Sequence, residues 1–197
     1  RPVFELDARD PVLDAFRDHR VGPDARVPAT GLLELLRSAE LAAGVERPEE
    51  KAVGILRPVE LDSIRRLQVV LSPGGVGRAD IVLETAAGEW VTTVSAELTS
   101  GQDQTATAAE ALAFGVESTD APEFPVDRLY TGLEEAGLAF GPGYRLLNAL
   151  RASVTCAEGT IAVDRAPTWS GEVNPAVLDA ATQLCIATLA KAQPESE

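Results

Sequence analysis

The sequence predicts an α+β fold made of two consecutive helix-and-sheet units, on three observations. A leucine-rich helical segment is followed at once by a run of strand candidates. A stretch of small and polar residues without a period, 99–125, then interrupts the pattern. Beyond it a second set of helix and strand signals leads to a strongly apolar helix near residue 192.

In the first unit, residues 1–98, the segment "GLLELLRSAELAA" (31–43) carries leucines at 32, 33, 35, 36 and 41 with Glu34, Arg37 and Glu40 between them. That is a helix with one broad apolar face, with Thr30 as its expected N-cap and Gly44 at its stop. Three or four strand candidates follow, in "AVGILRPVEL" (52–61), "RRLQVVL" (65–71), "ADIVLET" (79–85) and "EWVTTVSAEL" (89–98). They are rich in β-branched residues and separated by the turn signals "SPGGVG" and "AAG", which predicts an antiparallel meander wrapped around the helix. Residues 99–125 read as a linker. The second unit, 126–197, opens with a short amphipathic helix that runs into a Gly-Pro-Gly turn and a strand. A further strand, "GTIAVD" (159–164), precedes a last helix over 174–192.

That last helix is apolar nearly all round and needs cover on most sides. Two strands are too few to give it, so the expectation is that the natural polypeptide continues past Glu197 or that another chain supplies more strands.

The 197 residues are 45% hydrophobic, ample for a buried core. A net charge of −14 repels nucleic acid and anionic membrane surfaces alike. No run approaches the roughly 20 apolar residues of a membrane span, and the N-terminus lacks a signal-peptide pattern, which makes a cytoplasmic location the expectation. Cys156 and Cys185 have neither CxxC spacing nor a histidine nearby, so they read as small buried apolar residues rather than zinc ligands or a disulfide.

Asp179 and Gln183 stand four apart on the last helix and so share a face, where they can hydrogen-bond each other. A carboxyl group on an otherwise apolar helix is driven towards its neutral form, which suits a proton donor; the alternative is an aspartate that caps a turn or meets a buried arginine. His19 is the one histidine of the chain and lies between charged neighbours. By itself it would be an ordinary surface residue.

Three stretches change that. "HRVGPDARVP" holds His19 and Pro28 nine residues apart, followed by the leucine-rich helix; "LYTGLEEAGLAFGPGY" contains Phe140, Gly141, Pro142 and Tyr144; and "NPAVLDAATQ" ends in Asp179 and Gln183. In this order they resemble the histidine motif, the LY...L...G..YGP.F segment and the DxxxQ motif of the dehydratase domains of modular polyketide synthases. The resemblance implies a double hotdog, in which each of two central helices is wrapped by an antiparallel sheet, with the second half incomplete in this chain. It also departs from the family at Pro23 and Ala29, where glycine is usual, at Phe140 for tyrosine, and at Thr93 and Asn174, where histidines are common.

The resemblance further implies dehydration of a β-hydroxyacyl thioester, with His19 as base and Asp179 as acid. Gln183, Gly141, Pro142, Pro28, Phe140 and Tyr144 would support them or orient the substrate. No intrinsic cofactor or metal is implied; the substrate arrives on the phosphopantetheine arm of an acyl carrier protein. That carrier, neighbouring synthase domains and a second copy of the chain are the implied partners. The same fold could instead cyclise the product to a pyran-type ring, shift a double bond, or serve as an inactive structural or docking domain.

Overall fold

The computed structural model describes residues 2–46, 48–73, 77–100 and 121–192. The first half wraps a five-stranded antiparallel sheet around one helix. The strands are β1 (Val3–Asp7), β4 (Pro48–Ile55), β5 (Arg66–Leu71), β6 (Gly77–Glu84) and β7 (Trp90–Ser100), in spatial order β1-β5-β6-β7-β4, and the helix is α1 (Ala29–Ala42). Alternation decides which face is inside. On β5 the side chains of Leu67, Val69 and Leu71 point inward while Arg66, Gln68 and Val70 point out, and Ala79, Ile81, Val94 and Ala96 continue the inner face on β6 and β7. Leu32, Leu35, Leu36 and Ala39 of α1 close the same core.

The expected meander holds only for β5–β7. β4 pairs with β7 across the sheet and stops at Ile55, because Pro58 has no N–H with which to extend a ladder; Val59 turns into the core instead. β1 lies outside every strand expected from sequence, although Phe4 and Leu6 alternate with polar residues and pack on the core. α1 begins two residues earlier than expected. Pro28 occupies the N-cap and its carbonyl accepts the first helical bond from the Leu32 amide, which leaves Thr30 inside the first turn rather than capping it.

The second half consists of α2 (Val126–Glu135), β8 (Leu138–Phe140), β9 (Leu147–Ala152), β10 (Ala157–Ile161) and α3 (Pro175–Ala192). β10 ends at Ile161, three residues short of the expected strand, and a 3-10 turn over Val163–Arg165 follows. β9 and β10 pair antiparallel, and α3 packs on them and on α1. Gly159 of β10 sits under Leu184 of α3: a Cβ there would lie 2.7 Å from Leu184 Cδ2 and 2.9 Å from the Ala149 carbonyl oxygen. Backbone cannot give way as a side-chain tip can, so Gly159→Ala is expected to destabilise the protein by about 1–3 kcal/mol, read as a lower urea midpoint.

Cover on α3 is one-sided. Ala176, Asp179, Ala180, Gln183 and Ala187 are buried, whereas Leu178, Cys185 and Leu189 on the opposite side are exposed, Leu189 to 66%. The expectation of two buried cysteines therefore fails: Cys185 lies on the open face of α3, and Cys156, half-buried, sits in the turn between β9 and β10. Among the described residues, α3 meets a two-stranded sheet, where α1 meets one of five strands. Most of the expected linker, 101–120, lies outside the described residues. No helix among the described residues is long and apolar enough to cross a membrane.

A third sheet joins the halves. β2 (His19–Val21) pairs with β3 (Asp24–Ala25) on one side and with β8 on the other, in the antiparallel register His19↔Phe140, Arg20↔Ala139 and Val21↔Leu138. These three short strands fall outside those expected from sequence.

Candidate active site

His19 is placed by the β2–β3 hairpin. Gly22 (φ 60°) and Pro23 form its two-residue turn, and a positive φ followed by a proline is the II′ arrangement. The N–H that Pro23 lacks makes no ladder bond at that position, and Pro23 is exposed at the tip, so this departure leaves the hairpin intact. At the open end the His19 carbonyl accepts from the Arg26 amide (2.9 Å), and ring atom Nδ1 lies 3.1 Å from the Arg26 carbonyl oxygen. A carbonyl oxygen can only accept, so Nδ1 carries the proton and Nε2 is left with a lone pair.

Two aromatic rings flank the imidazole. Phe140 lies 5.4 Å away, tilted, and Tyr144 lies 5.4 Å away edge-on, with the two rings stacked at 6.4 Å. The Tyr144 hydroxyl is fully buried and has no hydrogen-bond partner among the described residues. Burial, together with the charges of Asp179 and Asp18, pushes that phenol far above its ordinary range.

Asp179 comes from the other half, on the inward side of α3. Its Oδ2 accepts from Gln183 Nε2 at 2.9 Å. The amide orientation of Gln183 follows from its surroundings: Nε2 also donates to the Tyr144 carbonyl (3.2 Å), while Oε1 accepts from the Tyr130 hydroxyl (3.1 Å), which in turn accepts the Leu147 amide. Gln183 is 1% exposed and Asp179 is 8% exposed. Burial holds the Asp179 carboxyl above the usual carboxylate range, with the Gln183 hydrogen bond and His19 offsetting part of that. Burial likewise holds His19 below its ordinary value, and the Asp179 charge opposes it in part. Both groups are drawn towards their neutral forms, an imidazole with a free lone pair and a carboxylic acid.

The remaining sequence candidates fall around this pair. Gly141 and Pro142 start the turn that leads from β8 to Tyr144, and the Gly141 amide donates to the Asp18 carbonyl at 2.7 Å. Pro28 is buried at the head of α1, one residue before the exposed Ala29. Asn174 caps α3 through the Ala176 amide (3.0 Å) and holds the Pro167 carbonyl (2.7 Å), while Thr93 is buried with its hydroxyl on the Ile81 carbonyl (3.0 Å). Sequence reasoning passed over Tyr130, Arg26 and Asp18. Only Tyr130 left a signal, as the tyrosine of "LYTGLEE".

The family model described as "Polyketide synthase dehydratase N-terminal domain" matches residues 115–197. The PKS-NRPS hybrid synthetase psoA of Aspergillus fumigatus is 29% identical over 205 residues, a match that covers 89% of this chain; the chain spans 5% of that relative's length. The crystal structure of the dehydratase domain from the terminal module of the rifamycin polyketide synthase is 25% identical, with a TM-score of 0.72 over 95% of this chain and 71% of that one. Two structures of the CurK dehydratase, an aspartate-to-asparagine and a histidine-to-phenylalanine variant, each described as an inactive mutant, share 16% identity. Their TM-scores are 0.71 and 0.67, over 94% of this chain and 67% of each of those. With its double-hotdog architecture the chain is similar to the dehydratase domains of polyketide synthases, the family model matching residues 115–197 and the rifamycin dehydratase sharing the fold over 95% of the chain.

Proposed function

We propose that the domain removes water from a β-hydroxyacyl thioester, with His19 as base and Asp179 as acid. The observation that carries this reading is the pair itself: a half-buried histidine and a buried aspartate, one from each half, each drawn by burial towards the form its task requires. The inactive aspartate and histidine variants of the CurK dehydratase support the choice of residue types.

His19 Nε2 takes the α-proton while the carbon–oxygen bond at the β-position breaks. Asp179 gives its proton to the departing hydroxyl, water leaves and an α,β-unsaturated thioester remains. Each positioned proton transfer contributes about 10²–10⁴-fold. The charge that develops on the thioester oxygen is met by the free backbone amides of Ala29, Thr30 and Gly31 in the first turn of α1, where the helix dipole is positive. Gln183, steadied by Tyr130, keeps the Asp179 carboxyl in one orientation, and the rings of Phe140 and Tyr144 hold the imidazole. The thioester is carried on the phosphopantetheine arm of an acyl carrier protein. That carrier, adjoining synthase domains and a second copy of the chain are the proposed partners.

The test is incubation with a β-hydroxyacyl pantetheine thioester, followed by proton NMR of the product. Vinyl signals support dehydration. A ring product without them assigns cyclisation, and unchanged substrate in the presence of folded protein assigns a structural role.

An orphaned buried hydroxyl costs about 1–3 kcal/mol, so Tyr144→Phe is expected to raise the urea midpoint. If the hydroxyl orients substrate, turnover falls in the same variant; stability and activity then move in opposite directions.

A further inference from the structure

We propose that Asp18 is a positioning residue, a strap that fixes the base and the acid relative to each other through a single turn of the second half. The inference rests on the assignment of His19 and Asp179 above. Asp18 immediately precedes His19, and both its backbone and its side chain are tied to the turn over residues 141–144. Its carbonyl accepts the Gly141 amide at 2.7 Å, and its Oδ2 accepts the Gly143 amide at 2.7 Å. The turn is shaped to receive it. The three heavy atoms nearest a Cβ on Gly141 would all belong to the Asp18 side chain, its carboxylate first, and a Cβ on Gly143 would lie 3.0 Å from Asp18 Oδ2 and 2.9 Å from Pro167. The two glycines of "GPGY" are therefore the space in which the Asp18 carboxylate sits.

The turn then continues to the acid. Tyr144, the residue after Gly143, presents its carbonyl to Gln183 Nε2, and the same nitrogen holds Asp179 Oδ2. One unbroken path runs from the residue beside the base, through the Gly143 amide and the Tyr144 carbonyl, to the amide that orients the acid. A charge-assisted bond to a backbone amide is stronger than a neutral one, which suits a joint that must hold two halves in register.

The strap predicts a specific pattern. Asp18→Ala is expected to lower kcat on a β-hydroxyacyl pantetheine thioester by about 10–10²-fold with KM little changed, because reacting groups misplaced by an ångström lose that much. Asp18→Asn keeps an acceptor for the Gly143 amide and is expected to retain most of the activity. Gly141→Ala, whose Cβ would meet the Asp18 carboxylate first, should be as damaging as Asp18→Ala in the parent protein and cost less in the Asp18→Ala background, where the carboxylate is gone and only the Cβ of residue 18 remains, at 3.0 Å. His19 is the chain's only histidine, so its imidazole titration is readable by NMR without assignment. Loosening the strap admits water and moves that titration up towards the ordinary histidine value in Asp18→Ala and Gly141→Ala, but not in Asp18→Asn.

If folded Asp18→Ala matches the parent in kcat and in His19 titration, or if Gly141→Ala loses as much with Asp18 absent as with it present, the proposal is overturned. Should Asp18→Ala fail to fold, the comparison of Gly141→Ala with Asp18→Asn and the parent decides in the same way. The titration does not depend on turnover, so failure of the strap and failure of the His19–Asp179 assignment give different results.

Discussion

Replacement of His19 by alanine is expected to lower dehydration of a β-hydroxyacyl thioester by about 10²–10⁴-fold, with the fold retained. The residue is half-buried on a three-residue strand, and its backbone carries the bonds that matter locally: the His19 carbonyl with the Arg26 amide, and the ladder to Phe140. Alanine keeps all of these and removes only the ring. The variant should therefore unfold near the parent's urea midpoint while product formation, followed by the conjugated enoyl signal, collapses. Near-normal turnover by the folded variant would remove His19 from the mechanism.

Asp179→Asn is the second large effect, and it separates chemistry from stability. The amide cannot give up a proton as the acid does, so turnover is expected to fall by a comparable factor. Its carbonyl can still accept from Gln183 Nε2, so packing survives. Stability should move the other way. The folded-state affinity of Asp179 for its proton is raised by burial, so the folded protein binds more protons than the unfolded chain above the unfolded carboxyl value near 3.9. Its contribution to stability is therefore present at low pH and lost as pH rises through the folded value. Asparagine has no such loss: Asp179→Asn should be more stable than the parent at pH 7 to 8, and the gain should shrink as the pH falls towards 4. Urea midpoints of both proteins across that range measure it, and a variant less stable than the parent at pH 8 would contradict the assignment of a buried, proton-retaining carboxyl group. His19 adds the opposite slope. Its folded value is lowered, so its contribution is present above the ordinary value near 6.5 and declines as pH falls through that value, where the unfolded chain takes up the proton first. The same group remains in both proteins, so its contribution to the comparison is limited to its interaction with Asp179.

What could be read from the sequence follows the range of the interactions concerned. α1 and the strands β5–β7 were legible because leucines on one helical face and alternating β-branched residues are local signals of long elements. The Asp179–Gln183 contact was legible for the same reason, since a separation of four on a helix is itself a statement about space. β2 and β8 were not. Each is three residues long, and neither has a strand's composition apart from the other, which lies about 120 residues away. Their pairing is a tertiary contact written as secondary structure. Asp18 was hidden for a related reason: nothing in its spacing distinguishes it from the exposed acidic residues around it until the glycines of the second half are placed against its carboxylate. The exposure of Cys185 was out of reach because an all-round apolar helix does not say which of its sides the rest of the chain will cover.

The joining sheet has a consequence for how the domain comes into being. β2 draws its ladder bonds from β3 and β8, so the first half, folded alone, would leave the His19 strand hanging from a two-residue hairpin partner. Residues 138–140 take no part in the α1 core, but the strand that carries His19 draws ladder bonds from them. On the proposed assignment, reactivity requires the two halves to have met, and a chain whose second half has not docked would carry most of its first core and no chemistry.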